Sequence, residues 1–193
     1  MKEKLVICIL AGGKSRRMGE EKCFMELRGK NLINRALDIA NELKGEIFIS
    51  IGKKDIKIKG AKTLRDIKGE GPIAGLYRAL LEREKVLIFP CDTPFLTPQL
   101  LSFIWRRGEN FDITVCRIKN IIQLQVGVYS NRCLPYIEKR IERNRLSLMG
   151  LLEEKALKVE IIEEEEIKIF GDPEKLFFNI NTKEELRKAE EIS

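Results

Sequence analysis

Apolar residues run without interruption from Leu5 to Leu10 and stop at glycines, the pattern of a central strand in a parallel sheet covered on both faces. From Asn31, a good N-cap, Leu32, Ile33, Ala36, Leu37, Ala40 and Leu43 recur at helical spacing until Gly45. Strands and helices then alternate. Ile47 to Ile51 and the short Lys62 to Leu64 read as strands, and Pro72 to Glu84 reads as a helix that opens on its proline. Val86 to Phe89 is a further buried strand closed by Pro90, after which Thr97 caps a helix carrying Leu100, Leu101, Ile104 and Trp105. Ile113 to Arg117, Leu124 to Tyr129 and Leu157 to Ile162 are predicted strands; Asn131 to Arg143, Leu146 to Lys155 and Lys183 to Ile192 are predicted helices. The acidic run Glu163 to Glu166 reads as a solvated loop between elements. This alternation predicts one α/β domain over residues 1–193, three-layered and Rossmann-like, doubly wound on a mostly parallel sheet.

Composition narrows the chemistry. A chain of 193 residues buries roughly 70% of its unfolded surface, which suits one domain with a real core. Charge is carried by Lys and Glu while Gln occurs three times, a bias that fits a heat-adapted source. The net charge of +6 is spread among acidic residues, so nucleic-acid binding is not indicated. The densest basic stretch, Lys53 to Lys68, holds seven Lys or Arg and reads first as a solvated loop, second as an attractor for an anionic substrate. The five cysteines are odd in number and form no CxxC pair, so neither a disulfide framework nor a zinc ribbon is suggested. The chain has no histidine, which removes His-based triads, His-ligated metals and imidazole bases. The apolar run Leu5 to Ala11 is too short for a secretory signal, and no stretch approaches the ~20 apolar residues of a membrane span, so a cytoplasmic protein with no membrane partner is expected.

Three constellations carry chemistry. The first strand leads into Ala11-Gly12-Gly13-Lys14-Ser15-Arg16-Arg17-Met18-Gly19, followed by Lys22. Glycines let backbone N–H groups approach an anion, while Arg16, Arg17 and Lys22 can balance a triphosphate. The spacing matches neither a P-loop nor GxGxxG. On glycine content alone it is a tight turn with surface cations; its position at the carboxyl end of the first strand is where open α/β sheets bind ligands. Next, Asp92 in Pro90-Cys91-Asp92-Thr93-Pro94 sits at the carboxyl end of a buried strand between two prolines, placed as a hard-cation ligand or as the cap of an Asx-turn. Finally, alternation in Phe178-Asn179-Ile180-Asn181-Thr182 would send both Asn side chains to one face, or else Asn181 or Thr182 is merely the N-cap of the last helix.

Taken together, LAGGKSRRMGEEK at 10–22, GPIAG at 71–75, PCDTPFL at 90–96 and NINTKEEL at 179–186 resemble the molybdenum cofactor guanylyltransferase family. Members of that family have the nucleotidyltransferase fold and transfer GMP from GTP to the terminal phosphate of molybdopterin. The order and spacing hold over essentially the whole chain. The resemblance implies that Leu10, Ala11, Gly12 and Gly13 form the nucleotide loop, that Lys22 and Arg17 contact phosphates, and that Asp66 and the turn ending at Gly75 serve the guanine nucleotide. It further implies Asp92 as the Mg²⁺ ligand, with Asn179 and Asn181 beside metal and acceptor. Protein partners that deliver or receive the cofactor would follow. The chain departs from the family around Gly52, where an Asn is frequent, and at Gln123-Leu124, where Pro commonly follows the Gln or His.

This chemistry needs no histidine. The acceptor is an ionised phosphate, so the barrier lies in bringing two anions together, which charge neutralisation and alignment can lower. Two rivals stand beside it: cytidylyl or guanylyl transfer to another phosphorylated acceptor, and a non-catalytic guanine-nucleotide sensor.

Overall fold

The computed structural model describes residues 4–12, 22–53 and 57–192. The first strand, β1 (Val6–Leu10), is buried along its whole length. After it come a small hairpin, β2 (Glu26–Leu27) and β3 (Lys30–Asn31), turning on left-handed Arg28 and Gly29, and the helix α1 (Leu32–Glu42). Strands β4 (Glu46–Ser50) and β5 (Lys62–Leu64) precede helix α2 (Pro72–Leu80); β6 (Lys85–Pro90) precedes α3 (Pro98–Arg107). A long hairpin, β7 (Ile113–Ile118) and β8 (Ile121–Ser130), is followed by α4 (Leu134–Glu142), β9 (Val159–Ile162), the short helices α5 (Glu164–Ile167) and α6 (Pro173–Leu176), and α7 (Lys183–Ile192).

The main sheet has the order β5-β4-β1-β6-β8-β7-β9. β8 runs antiparallel to both neighbours, and every other pairing is parallel. Alternation along each strand splits the core in two. Ile7, Ile9, Ile49, Leu87 and Phe89 pack under α1 and α3, while Cys8, Leu10, Phe48, Val86 and Ile88 pack under α2 and α4. Three layers result, because a strand covered on both faces is apolar at every position. A third cluster, Met25, Leu27, Leu32, Ile180 and Ala189, clamps the β2–β3 hairpin to α7 and so brings the end of the chain beside the carboxyl edge of β1 and β6.

The capping expectations hold: the Asn31 side chain accepts from the Asn34 amide and Thr97 from Leu100. Three local expectations do not. After α1 the left-handed position falls on Lys44 (φ 56), while Gly45 serves close packing, since a Cβ there would lie 2.7 Å from the Leu5 carbonyl oxygen. Leu146 to Lys155 is not a helix; only a 3-10 turn, Leu148–Leu151, forms, with the Arg140 guanidinium occupying the space a Cβ of Gly150 would take. A central glycine costs a helix about 1 kcal/mol, and burying Leu148 and Leu151 against α4 outweighs continuing the spiral. The acidic run is not a free loop either. Glu163 and Glu166 form a capping box on α5; Glu163 pairs with Arg117 at 2.8 Å and Glu166 with Arg107.

Replacing Asn31 by Ala removes the side-chain acceptor at the start of α1. Urea denaturation should show a loss of about 1 kcal/mol in unfolding free energy with an unchanged m-value.

Candidate active site

The site is built at the carboxyl edge of the parallel strands, where backbone hydrogen bonds carry the sheet one residue further before it opens. The Ala11 amide donates to the Ser50 carbonyl (2.8 Å) and the Cys91 amide to the Leu10 carbonyl (3.1 Å), so Leu10 and Ala11 lie between the ends of β4 and β6. On the other side, Ile51 donates to the Leu64 carbonyl and Asp66 to the Gly52 carbonyl (2.7 Å). This holds Asp66 beside the glycine pair Gly12 and Gly52. A Cβ on Gly12 would stand 2.5 Å from the Gly52 nitrogen, so these backbones touch where any side chain would force them apart. Gly52 itself is left-handed, with φ 66.

Gly75, in the first turn of α2, has the same function toward β4: a Cβ would lie 2.5 Å from the Ser50 hydroxyl oxygen. The Ser50 hydroxyl in turn donates to Asp66 at 3.5 Å. Leu10, Gly12, Ser50, Gly52, Asp66 and Gly75 therefore form one closely packed, glycine-rich group at the ends of β1 and β4. Partial burial lifts the Asp66 carboxyl from its ordinary 3.8 to about 6, opposed by the Ser50 hydrogen bond and by the charge of Lys53.

Across β1 and β6 a second group converges. The Lys22 ammonium donates to both Asp92 Oδ2 and Asn181 Oδ1. Their separations of 70 and 159 residues in sequence mean that only tertiary structure joins them. The Lys22 and Asp92 side chains are 21% and 17% exposed, partly withdrawn from water, while Asn181 is exposed. The Ile180 amide donates to the Asp92 carbonyl at 2.9 Å and fixes the C-terminal segment against this loop. Thr93 closes the loop by donating its hydroxyl to the Pro90 carbonyl at 2.8 Å. Asp92 therefore does not act as the turn's own cap; its side chain is directed to Lys22. Its other oxygen, Oδ1, is buried and has no hydrogen-bond partner among the described residues. Beneath the pair, the buried thiol of Cys91 is hydrogen-bonded to Cys23.

Asn179 and Asn181 do not lie on a strand, since residues 178–181 are irregular backbone, and Asn181 reaches Lys22. Thr182 caps α7, accepting from the Glu185 amide at 3.1 Å, and the Glu185 carboxylate accepts from the Asn181 amide at 2.7 Å. The Thr-x-x-Glu spacing was a readable signal for this brace. Ser50 and Gly52 carry no motif of their own and become part of the recess only through contact. Gly13 and Arg17 lie outside the described residues.

The sequence profile of the MobA-like NTP transferase domain matches residues 7–159. A probable molybdenum cofactor guanylyltransferase of Pelotomaculum thermopropionicum is 33% identical over 94% of this chain and 89% of its own length. The molybdenum cofactor guanylyltransferase of Desulfosudis oleivorans is also 33% identical, over 94% of this chain and 92% of its own. The chain belongs to this family. It is a nucleotidyltransferase. The crystal structure of molybdopterin-guanine dinucleotide biosynthesis protein A from Archaeoglobus fulgidus superposes with a TM-score of 0.86 at 26% identity, covering 97% of this chain and 98% of that one. The 2-C-methyl-D-erythritol 4-phosphate cytidylyltransferase of Thermus thermophilus shares the fold, with a TM-score of 0.71 at 16% identity. Among the described residues no helix is long and apolar enough to cross a membrane.

The raised Asp66 carboxyl has a thermodynamic signature. The folded protein holds this proton more tightly than the unfolded chain, so wild-type stability declines as pH rises from about 4 to about 6 and the loss persists above. Asp66→Asn has no such proton. The thermal midpoint of Asp66→Asn minus that of wild type should grow across this interval and level off beyond it; a pH-independent difference would contradict the burial effect.

Proposed function

We propose that this protein transfers GMP from GTP to the terminal phosphate of molybdopterin, with release of pyrophosphate and formation of the guanine dinucleotide cofactor. The observation that carries the reading is the convergence of Lys22, Asp92 and Asn181 at the sheet edge, next to the glycine-rich group of Gly12, Asp66 and Gly75, which this reading makes the base recess. The names of the relatives supply the acceptor and the base.

In this reading guanine lies in the glycine-lined recess. A carboxylate accepts from the adjacent ring N–H and amino group of guanine, a pairing cytosine cannot offer, and Asp66 is the carboxylate available there. Backbone contact at Gly12 and Gly52 keeps the recess thin enough for a flat base. The triphosphate then extends toward Lys22. Because Asp92 and Asn181 hold the ammonium, its charge is presented in a fixed place and needs little reorganisation when phosphate arrives. Arg17 adds a second phosphate contact.

A divalent cation fits the donor set. Asp92 offers a buried, unpartnered oxygen, and the described residues contain no cluster of three or more His, Cys, Asp or Glu. One carboxylate completed by substrate phosphates and water is the usual environment of Mg²⁺ and unlike a structural metal cage. Bound there, Mg²⁺ supplies charge neutralisation at the reacting phosphates. No residue need act as a base, since the attacking phosphate is already ionised. Lys22 and Arg17 hold the pyrophosphate end while Asn181 and the braced segment before α7 bound the acceptor side.

Asp92→Ala should retain GTP binding within about tenfold while turnover falls by at least ~10³. Turnover near the wild-type rate would remove Asp92 from the chemistry. Lys22→Ala should lower kcat/KM by about 10²–10³, raising KM and lowering kcat together, because a phosphate contact acts in both ground and transition states. Comparing GTP with CTP by pyrophosphate release tests the base, and Asp66→Asn should narrow the preference for GTP.

A further inference from the structure

Between β5 and α2 the chain runs through Arg65-Asp66-Ile67-Lys68-Gly69-Glu70-Gly71. This loop carries Asp66 yet has no apolar anchor of its own, because Ile67, its single large apolar side chain, is 64% exposed. Gly69 and Gly71 are both left-handed, with φ 76 and 74. Glycine tolerates many backbone states, so a loop hinged on two of them takes its shape from what it rests against. On the sheet side it rests on the Gly52 carbonyl, which accepts from the Asp66 amide.

On the other side it rests on α4. Glu138, Ile141 and Glu142 stand at positions i, i+3 and i+4 of that helix and so form one stripe along it. Glu138 accepts from the hydroxyl of the buried Tyr77 in α2 at 2.5 Å. Ile141 packs against Gly69, where a Cβ would stand 3.2 Å from three of its side-chain atoms. Glu142 accepts from the Lys68 ammonium at 2.9 Å. A single helix face thus grips α2 two residues past Gly75 and the loop two and three residues past Asp66.

The Lys68–Glu142 pair has a second consequence. Lys68 is close enough in sequence to neutralise Asp66, but its charge is engaged by α4 instead. The Asp66 carboxylate is left facing Ser50 and Gly52.

We propose that Ile141 and Glu142 are positioning residues for base selection, holding the 65–71 loop so that the Asp66 carboxylate stays aimed at the guanine edge. The inference rests on the function proposed above. Both residues act through Asp66, so their effect falls on the choice of nucleotide and not on the acceptor or the phosphates.

Glu142 is 63% exposed, so Glu142→Lys turns attraction toward Lys68 into repulsion without opening the core. With molybdopterin as acceptor, this variant should raise the GTP KM about three- to tenfold, while kcat and the acceptor KM stay within about twofold. Reversing the pair, Lys68→Glu/Glu142→Lys, should return the GTP KM to within about twofold of wild type. Ile141→Ala removes the contact with Gly69 and should raise the GTP KM in the same way. The CTP KM should not follow in either single variant, so the preference for GTP narrows, and amide exchange at residues 67–70 should accelerate. A GTP KM unmoved in both single variants, or a reversed pair that fails to restore it, would overturn the proposal. So would equal losses with GTP and CTP, which would mark a general loosening of the fold. A wild-type enzyme without preference for GTP over CTP would instead sink the functional reading, which keeps the two failures apart.

Discussion

One charged contact organises the active edge of this protein: the Lys22 ammonium held between Asp92 and Asn181. It ties together the segment after the nucleotide loop, the end of β6 and the approach to α7. A lysine partly withdrawn from water next to a lone carboxylate would be mobile and partly compensated; with two acceptors it becomes a fixed positive point. The half-buried ion pair is a poor source of net stability, because desolvation offsets much of the attraction. Its value is in preorganisation. The pair is also incomplete by design of its geometry, since Asp92 retains a buried oxygen with no donor among the described residues.

The contact would be impossible without the apolar framework beneath it. β1 is buried throughout and β6 from Val86 to Pro90, so that they deliver Leu10 and Asp92 side by side, and the cluster of Met25, Leu27, Leu32, Ile180 and Ala189 fastens the C-terminal helix to the small hairpin. The glycine-rich group on the other side depends on missing side chains. Gly12 against Gly52 and Gly75 against Ser50 permit approaches that a single methyl group would block. Close backbone approach and fixed charge thus come from separate devices: the glycines on one side, the lysine–carboxylate–amide triplet on the other.

β8 divides the main sheet by its direction. Parallel strands on one side of Asp92 end in loops suited to a nucleotide, which is the usual consequence of carboxyl ends pointing one way. The reversed strand instead brings the beginning of a hairpin to the same edge, and Leu124 to Val126, which have no partners in β7, give that side a different surface.

Much was legible in the sequence because it was local. Hydrophobic period located the seven strands of the main sheet and the five longer helices but not the β2–β3 hairpin or the short α5 and α6; the caps at Asn31 and Thr97 were readable from residue type, and the absence of histidine excluded whole mechanisms. Local reasoning failed where packing overrode propensity, as at Leu148–Leu151, and where charged residues found partners far along the chain, as in the acidic run that became a capped helix bound to Arg107 and Arg117. The sequence by itself determined the three-layer architecture and put Lys22, Asp92 and Asn181 in separate motifs. Only the tertiary structure decided that these three touch and that Ser50 and Gly52 pack into the glycine-rich group beside Asp66. Contacts across 70 and 159 residues leave no periodic trace, since nothing in a chain's local energetics records which distant loop its folded neighbour will be.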